Sequence, residues 1–147
     1  MYKRQDRRFT LFYLTDDPAG TPAVSETFGY GCAGLGLTAD SRPVLDGDWE
    51  LRVFDAPAQA LFSLIMVGTS NPNTPLDLLG APGCTAYTNA IFSSVDSIAN
   101  PRWQLPIPNS AQLIGYPLRA QAAAVSPALN SLGYVSSNGL RGTVGDV

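Results

Sequence analysis

From Trp49 to Val53, apolar side chains alternate with Glu50 and Arg52. That two-residue period marks a strand with one buried and one solvated face. Asp46-Gly47-Asp48 supplies the turn before it. Residues 60–67 form a more continuous apolar run, as expected of a central strand buried on both sides. Residues 58–66 also contain good helix formers, but Pro57 and Gly68 leave little room for three turns, so a strand is predicted. Further strands are predicted over residues 8–14, 84–88, 91–95, 103–107 and 116–124, with prolines punctuating the gaps. Near the end, residues 132–137 and 140–144 flank Asn138-Gly139, a dipeptide that tolerates positive φ and predicts a two-residue hairpin. Many short strands, abundant Gly and Pro, and no long amphipathic pattern predict an all-β fold. The expected form is an antiparallel β-sandwich, Ig-like or jelly-roll-like.

Length changes the picture little: 147 residues suit one domain with a real core. Apolar residues make up 45% and charged ones 14%, too apolar for disorder, and no apolar stretch is long enough to span a bilayer. The net charge of −3 disfavours a phosphate backbone or an anionic lipid surface, so neither nucleic acid nor membrane insertion is expected. The chain has no histidine, which removes the commonest general base and the commonest metal ligand together. Residues 1–5 read like translated adapter DNA, and Lys3 is the chain's lone lysine. Residues 1–27 are therefore expected to hold that tag, a stray strand and a linker from a truncated upstream region, with the sandwich at 28–147. A signal peptide is expected to have been lost with that region.

Several phrases carry a resemblance: Tyr30-Gly31-Cys32-Ala33-Gly34, Leu79-Gly80-Ala81-Pro82-Gly83-Cys84, Leu105-Pro106-Ile107-Pro108-Asn109, Gln121-Ala122, and the closing Ser137-Asn138-Gly139-Leu140. In these the chain resembles the carboxy-terminal β-sandwich module of secreted planctomycete- and myxobacteria-like bacterial proteins. It departs from that pattern at Ala124 to Pro127 and at Gly142. The resemblance implies a secreted or cell-surface accessory module and no settled activity. In such an exported setting Cys32 and Cys84 have one intramolecular pairing open to them, and a disulfide is expected.

The candidate chemistry is sparse. Gly29-x-Gly31-x-x-Gly34 matches the dinucleotide-binding fingerprint in form, but residues 35–43 cannot supply the helix that aims N–H groups at pyrophosphate. Asp46, Asp48, Glu50 and Asp55 form the densest acidic group, with a spacing that fits no named calcium loop; solvated turn and edge acids are the plainer interpretation. Trp49, Trp103 and Tyr116, with Tyr87 and Tyr134, are the residues a sugar-stacking face would use. Trp49 and Trp103 also fall in phase with aliphatic neighbours, as core residues do. No Ser-His or Cys-His pair and no Gly-x-Ser-x-Gly elbow exists. The expectation is a non-catalytic extracellular module, structural or interacting, at the carboxy end of a larger secreted bacterial protein. It needs no cofactor or metal, and its partners would be other domains of that protein or a surface polysaccharide. The alternative is a carbohydrate-binding module.

Overall fold

A computed structural model describes residues 20–98 and 102–147. The expected strand at 8–14, the five adapter-like residues and most of the linker lie outside the described residues. The fold is all-β, with two stacked antiparallel sheets and a third, thinner layer. In chain order the strands are β1 (Val24–Phe28), β2 (Gly36–Ala39), β3 (Asp48–Phe54), β4 (Phe62–Gly68), β5 (Thr74–Pro75), β6 (Thr85–Ala86), β7 (Phe92–Ser97), β8 (Arg102–Pro106), β9 (Pro117–Val125) and β10 (Tyr134–Thr143). The large sheet has the order β1-β10-β9-β4-β7, the small one β2-β3-β8, and β5 pairs with β6.

The boundary expected at residue 28 falls inside the large sheet. Val24–Phe28 pairs residue by residue with β10, from Val24 opposite Thr143 to Phe28 opposite Gly139. Ahead of it, the Ala23 N–H donates to Val147 O and Thr21 O accepts from Asp146 N–H. The proline-rich composition suggested a linker, but in an edge strand proline and glycine are tolerated at the entry and pairing with β10 decides the rest.

The core follows from alternation. Trp49, Leu51 and Val53 are buried while Asp48 and Phe54 are exposed. Their cross-strand partners Leu105, Trp103 and Leu37 therefore share the inward face. Facing them are Ile65 and Val67 of β4 and Ala120, Ala122 and Ala124 of β9, paired in register. Trp49 is fully buried, and its indole Nε1 donates to Ser25 Oγ at 2.7 Å, tying the small sheet to β1.

The other face of the large sheet is also covered, by residues 69–91, which carry β5 and β6. Gln121 of β9, buried on that face, accepts a bond from Tyr87 N–H at 2.9 Å and donates to Thr85 O at 2.7 Å and Ser137 O at 2.8 Å. Burying an amide is tolerable because its hydrogen-bonding groups are matched. The short side chains of Ala120, Ala122, Ala123 and Ala124, all buried, let both layers approach β9 closely. The Cys32–Cys84 disulfide, with 5.0 Å between Cα atoms, fastens this covering segment to the loop after β1.

Two sequence expectations change. Residues 58–61 are not strand, so the run predicted from residue 60 starts at Phe62; the helical alternative over 58–66 does not form. Asn138-Gly139 is not a hairpin turn. β10 runs straight through it, with a register shift against β9 between Ser136 and Gly139, the signature of a β-bulge. Neither residue adopts a positive φ, and the Asn138 side chain is engaged elsewhere: its Oδ1 accepts from Leu37 N–H at 2.9 Å and its Nδ2 donates to Leu37 O at 2.9 Å.

Candidate functional site

Among the described residues, β7 ends the large sheet and β8 ends the small one, on the same side of the sandwich. Between them lies a cleft of about 130 Å³ lined by Leu51, Ile65, Val67, Phe92, Trp103 and Leu105. The registers explain its composition. Phe92 and Ser94 oppose Val67 and Ile65, so they point inward with them, and Trp103 opposes the buried Leu51. Phe92 stays 51% exposed at the mouth. On the other face of β7, Val95 is 59% exposed, and Ile91 and Leu61 nearby in sequence to these strands are exposed too. Among the described residues, the buried Nε1 of Trp103 has no hydrogen-bond partner, a state that costs about 1–3 kcal/mol for a typical buried donor. At this size the cleft is below the range of roughly 300–1,000 Å³ common for small-molecule sites. It has room for one inserted apolar side chain.

The outward face of the small sheet is of a different kind. A groove of about 450 Å³ there is lined by Asp40, Glu50, Arg102, Trp103 and Gln104. Asp40 receives Arg52 Nε at 3.2 Å and Arg102 Nη1 at 2.9 Å, and Gln104 Nε2 donates to Glu50 Oε2 at 3.3 Å. The hydrogen bond from Arg52 foremost, helped by the charges of Arg52 and Arg102, holds the Asp40 carboxyl below its ordinary range. These side chains satisfy one another across the strands, as exposed cross-strand pairs do, and add little to stability.

The residues singled out from the sequence are scattered. Trp49 is enclosed in the core and cannot stack on a ligand; its phase with Leu51 and Val53 put it on the inward face. Trp103 is half-buried at the cleft. Tyr116, 43% exposed, sits in the turn before β9, donating its N–H to Leu113 O at 2.8 Å, and lines neither the cleft nor the polar groove. The three therefore build no common face. Tyr87 is buried in the covering segment, and Tyr134 packs against the core with its hydroxyl on Met66 Sδ at 3.6 Å. Asp46 and Asp55, both at positive φ, are turn residues at opposite ends of β3, while Asp48 and Glu50 lie along it. Among the described residues no three ligand-type side chains converge as a metal site. The Gly29–Gly34 segment leads into β2 with no helix after it.

Sequence reasoning missed Phe92. Its segment, Ile91-Phe92-Ser93-Ser94-Val95, reads simply as a strand, and an apolar residue facing inward near an edge looks like any core residue until the opposing sheet proves too narrow to cover it. No helix among the described residues is long and apolar enough to cross a membrane. No family model, no curated protein and no solved structure matches the chain.

Proposed function

We propose that this domain is a non-catalytic, extracellular interaction module at the carboxy end of a larger exported bacterial protein, and that another domain of that protein docks on its open side. The observation that carries this proposal is the apolar cleft between β7 and β8, with Phe92 exposed at its mouth. An apolar cleft sized for one side chain, with a half-exposed aromatic at its mouth, is how anchor pockets at protein interfaces are built. An acceptor arriving with that side chain would also satisfy the Trp103 indole. The disulfide supports an oxidising compartment, and the absence of histidine from the chain supports a role without general-base catalysis.

The test is made in the intact exported protein. Replacing Phe92 and Val95 together by Asp should release the domain from its neighbour, read as faster proteolysis between them and impaired surface retention or assembly. Retention and assembly that survive both this variant and deletion of the module would overturn the proposal.

A further inference from the structure

On the opposite side of the sandwich, where β2 packs on β10, the loop after β1 forms a second groove of about 380 Å³. Its walls are Tyr30, Phe54, Thr27 and Thr38, its floor is the glycine backbone of this loop, and none of the residues lining it carries a charge. Tyr30 is 83% exposed and Phe54 41% exposed.

The loop that carries Tyr30 is held from several directions. Gly29 takes φ +70 with the Tyr87 ring against it, a backbone state that suits glycine. The Tyr30 N–H donates to Tyr87 Oη at 3.2 Å. Two residues on, the Cys32 N–H donates to Ser136 O at 2.9 Å, the Ser136 N–H donates to Cys32 Sγ at 3.1 Å, and Cys32 is bonded to Cys84. Beyond the loop, Asn138 grips both backbone groups of Leu37. A loop so constrained has little freedom left to lose on binding, and while its Leu35 is buried in the core, its aromatic side chain, Tyr30, faces solvent. Rigid aromatic side chains presented in this way are what pre-organised recognition surfaces use.

We infer that the Tyr30–Phe54 groove is a binding subsite for a neutral pyranose of an extracellular glycan. The aromatic face offers its negative quadrupole to the weakly positive C–H face of a sugar ring. Thr27, Thr38 and the Tyr30 hydroxyl can exchange hydrogen bonds with sugar hydroxyls. With no charge in the lining, an anionic or cationic ligand would lose hydration without gaining a partner. The volume lies within the range of small-molecule sites. This subsite stands on different residues from the open side and depends on the proposal above only for the extracellular placement.

The test uses the full oxidised chain and four neutral hexasaccharides, maltohexaose, cellohexaose, xylohexaose and chitohexaose, with a proline decapeptide as rival ligand. At least one hexasaccharide should shift the backbone amide resonances of Tyr30, Gly31 and Gly36. Tyr30→Ala should weaken that binding at least tenfold while leaving the Tm unchanged, and Phe54→Leu should weaken it less. Failure of all four sugars, titration of the same amides by the decapeptide instead, or full binding by Tyr30→Ala would overturn the inference. The Phe92→Asp, Val95→Asp variant should bind the sugar normally, so that loss of docking and loss of sugar binding report separately.

Discussion

The carboxamide of Asn138 holds Leu37 by both backbone groups, accepting from its N–H and donating to its C=O at 2.9 Å each. A side chain on the bulge of β10 thus does what a neighbouring strand would do for β2, at the point where the two sheets meet. Asn138 also donates to Gly139 O at 3.1 Å, which fixes the bulge itself.

Asn138→Ala should accordingly cost about 2–4 kcal/mol. Three hydrogen bonds are lost, two to Leu37 and one to Gly139 O, each worth about 0.5–1.5 kcal/mol, and the Leu37 backbone is left partly unpaired. Urea unfolding should show a lower midpoint with an unchanged m-value. Amide exchange should accelerate at Leu37 ahead of the large sheet.

Gly139 sits beneath the Phe28 ring as its cross-strand partner, and a Cβ there would run into that ring. Phe28 cannot simply swing away, because its ring also makes an edge contact with Tyr87 at 5.3 Å and lies 5.4 Å from the Arg119 guanidinium. Gly139→Ala should destabilise by about 1–3 kcal/mol through overpacking, whereas Gly34→Ala, with open space around it, should be opposed by its positive φ alone. Thermal unfolding of the two variants compares these causes.

The disulfide joins residues separated by 52 positions. By the chain-entropy model, opening a loop of that length removes about 4 kcal/mol. The Cys32→Ala, Cys84→Ala variant should unfold at clearly lower urea. Proteolysis under native conditions should then begin within residues 69–91, since the bridge fastens the covering segment whose remaining hold on β9 is largely Gln121.

Burial pushes the Tyr134 phenol up to about 12 from an ordinary 10.0. The folded chain therefore keeps a proton that the unfolded chain releases in between. Stability is unaffected below pH 10 and falls as pH rises from about 10 through 12. Tyr134→Phe should flatten that alkaline decline, and the absorbance titration of the native protein should show one tyrosine ionising late.

How much of this was legible beforehand differs from element to element. β3 was readable because Trp49, Leu51 and Val53 alternate with charged residues, and solvent on one face enforces that period. β8 was readable from the phase of Trp103 with its aliphatic neighbours, and β9 as an apolar run bounded by prolines. The end of the chain was misread because Asn-Gly favours a hairpin only when nothing competes for the asparagine; here Leu37, 101 positions away, claims its side chain. β1 was misassigned because its partner, β10, is more than a hundred residues distant.

The sequence by itself determined the all-β class, the strand at β3 and the lack of histidine in the chain, because alternation and residue type are local properties. Only the tertiary structure decided where, among the described residues, an apolar cleft remains between the sheets, that residues 69–91 form a third layer, and that Tyr30 and Phe54 share one groove while Trp49, Trp103 and Tyr116 do not. Those outcomes depend on strand order and on how far a three-stranded sheet reaches across a five-stranded one, and no local run of residues encodes either.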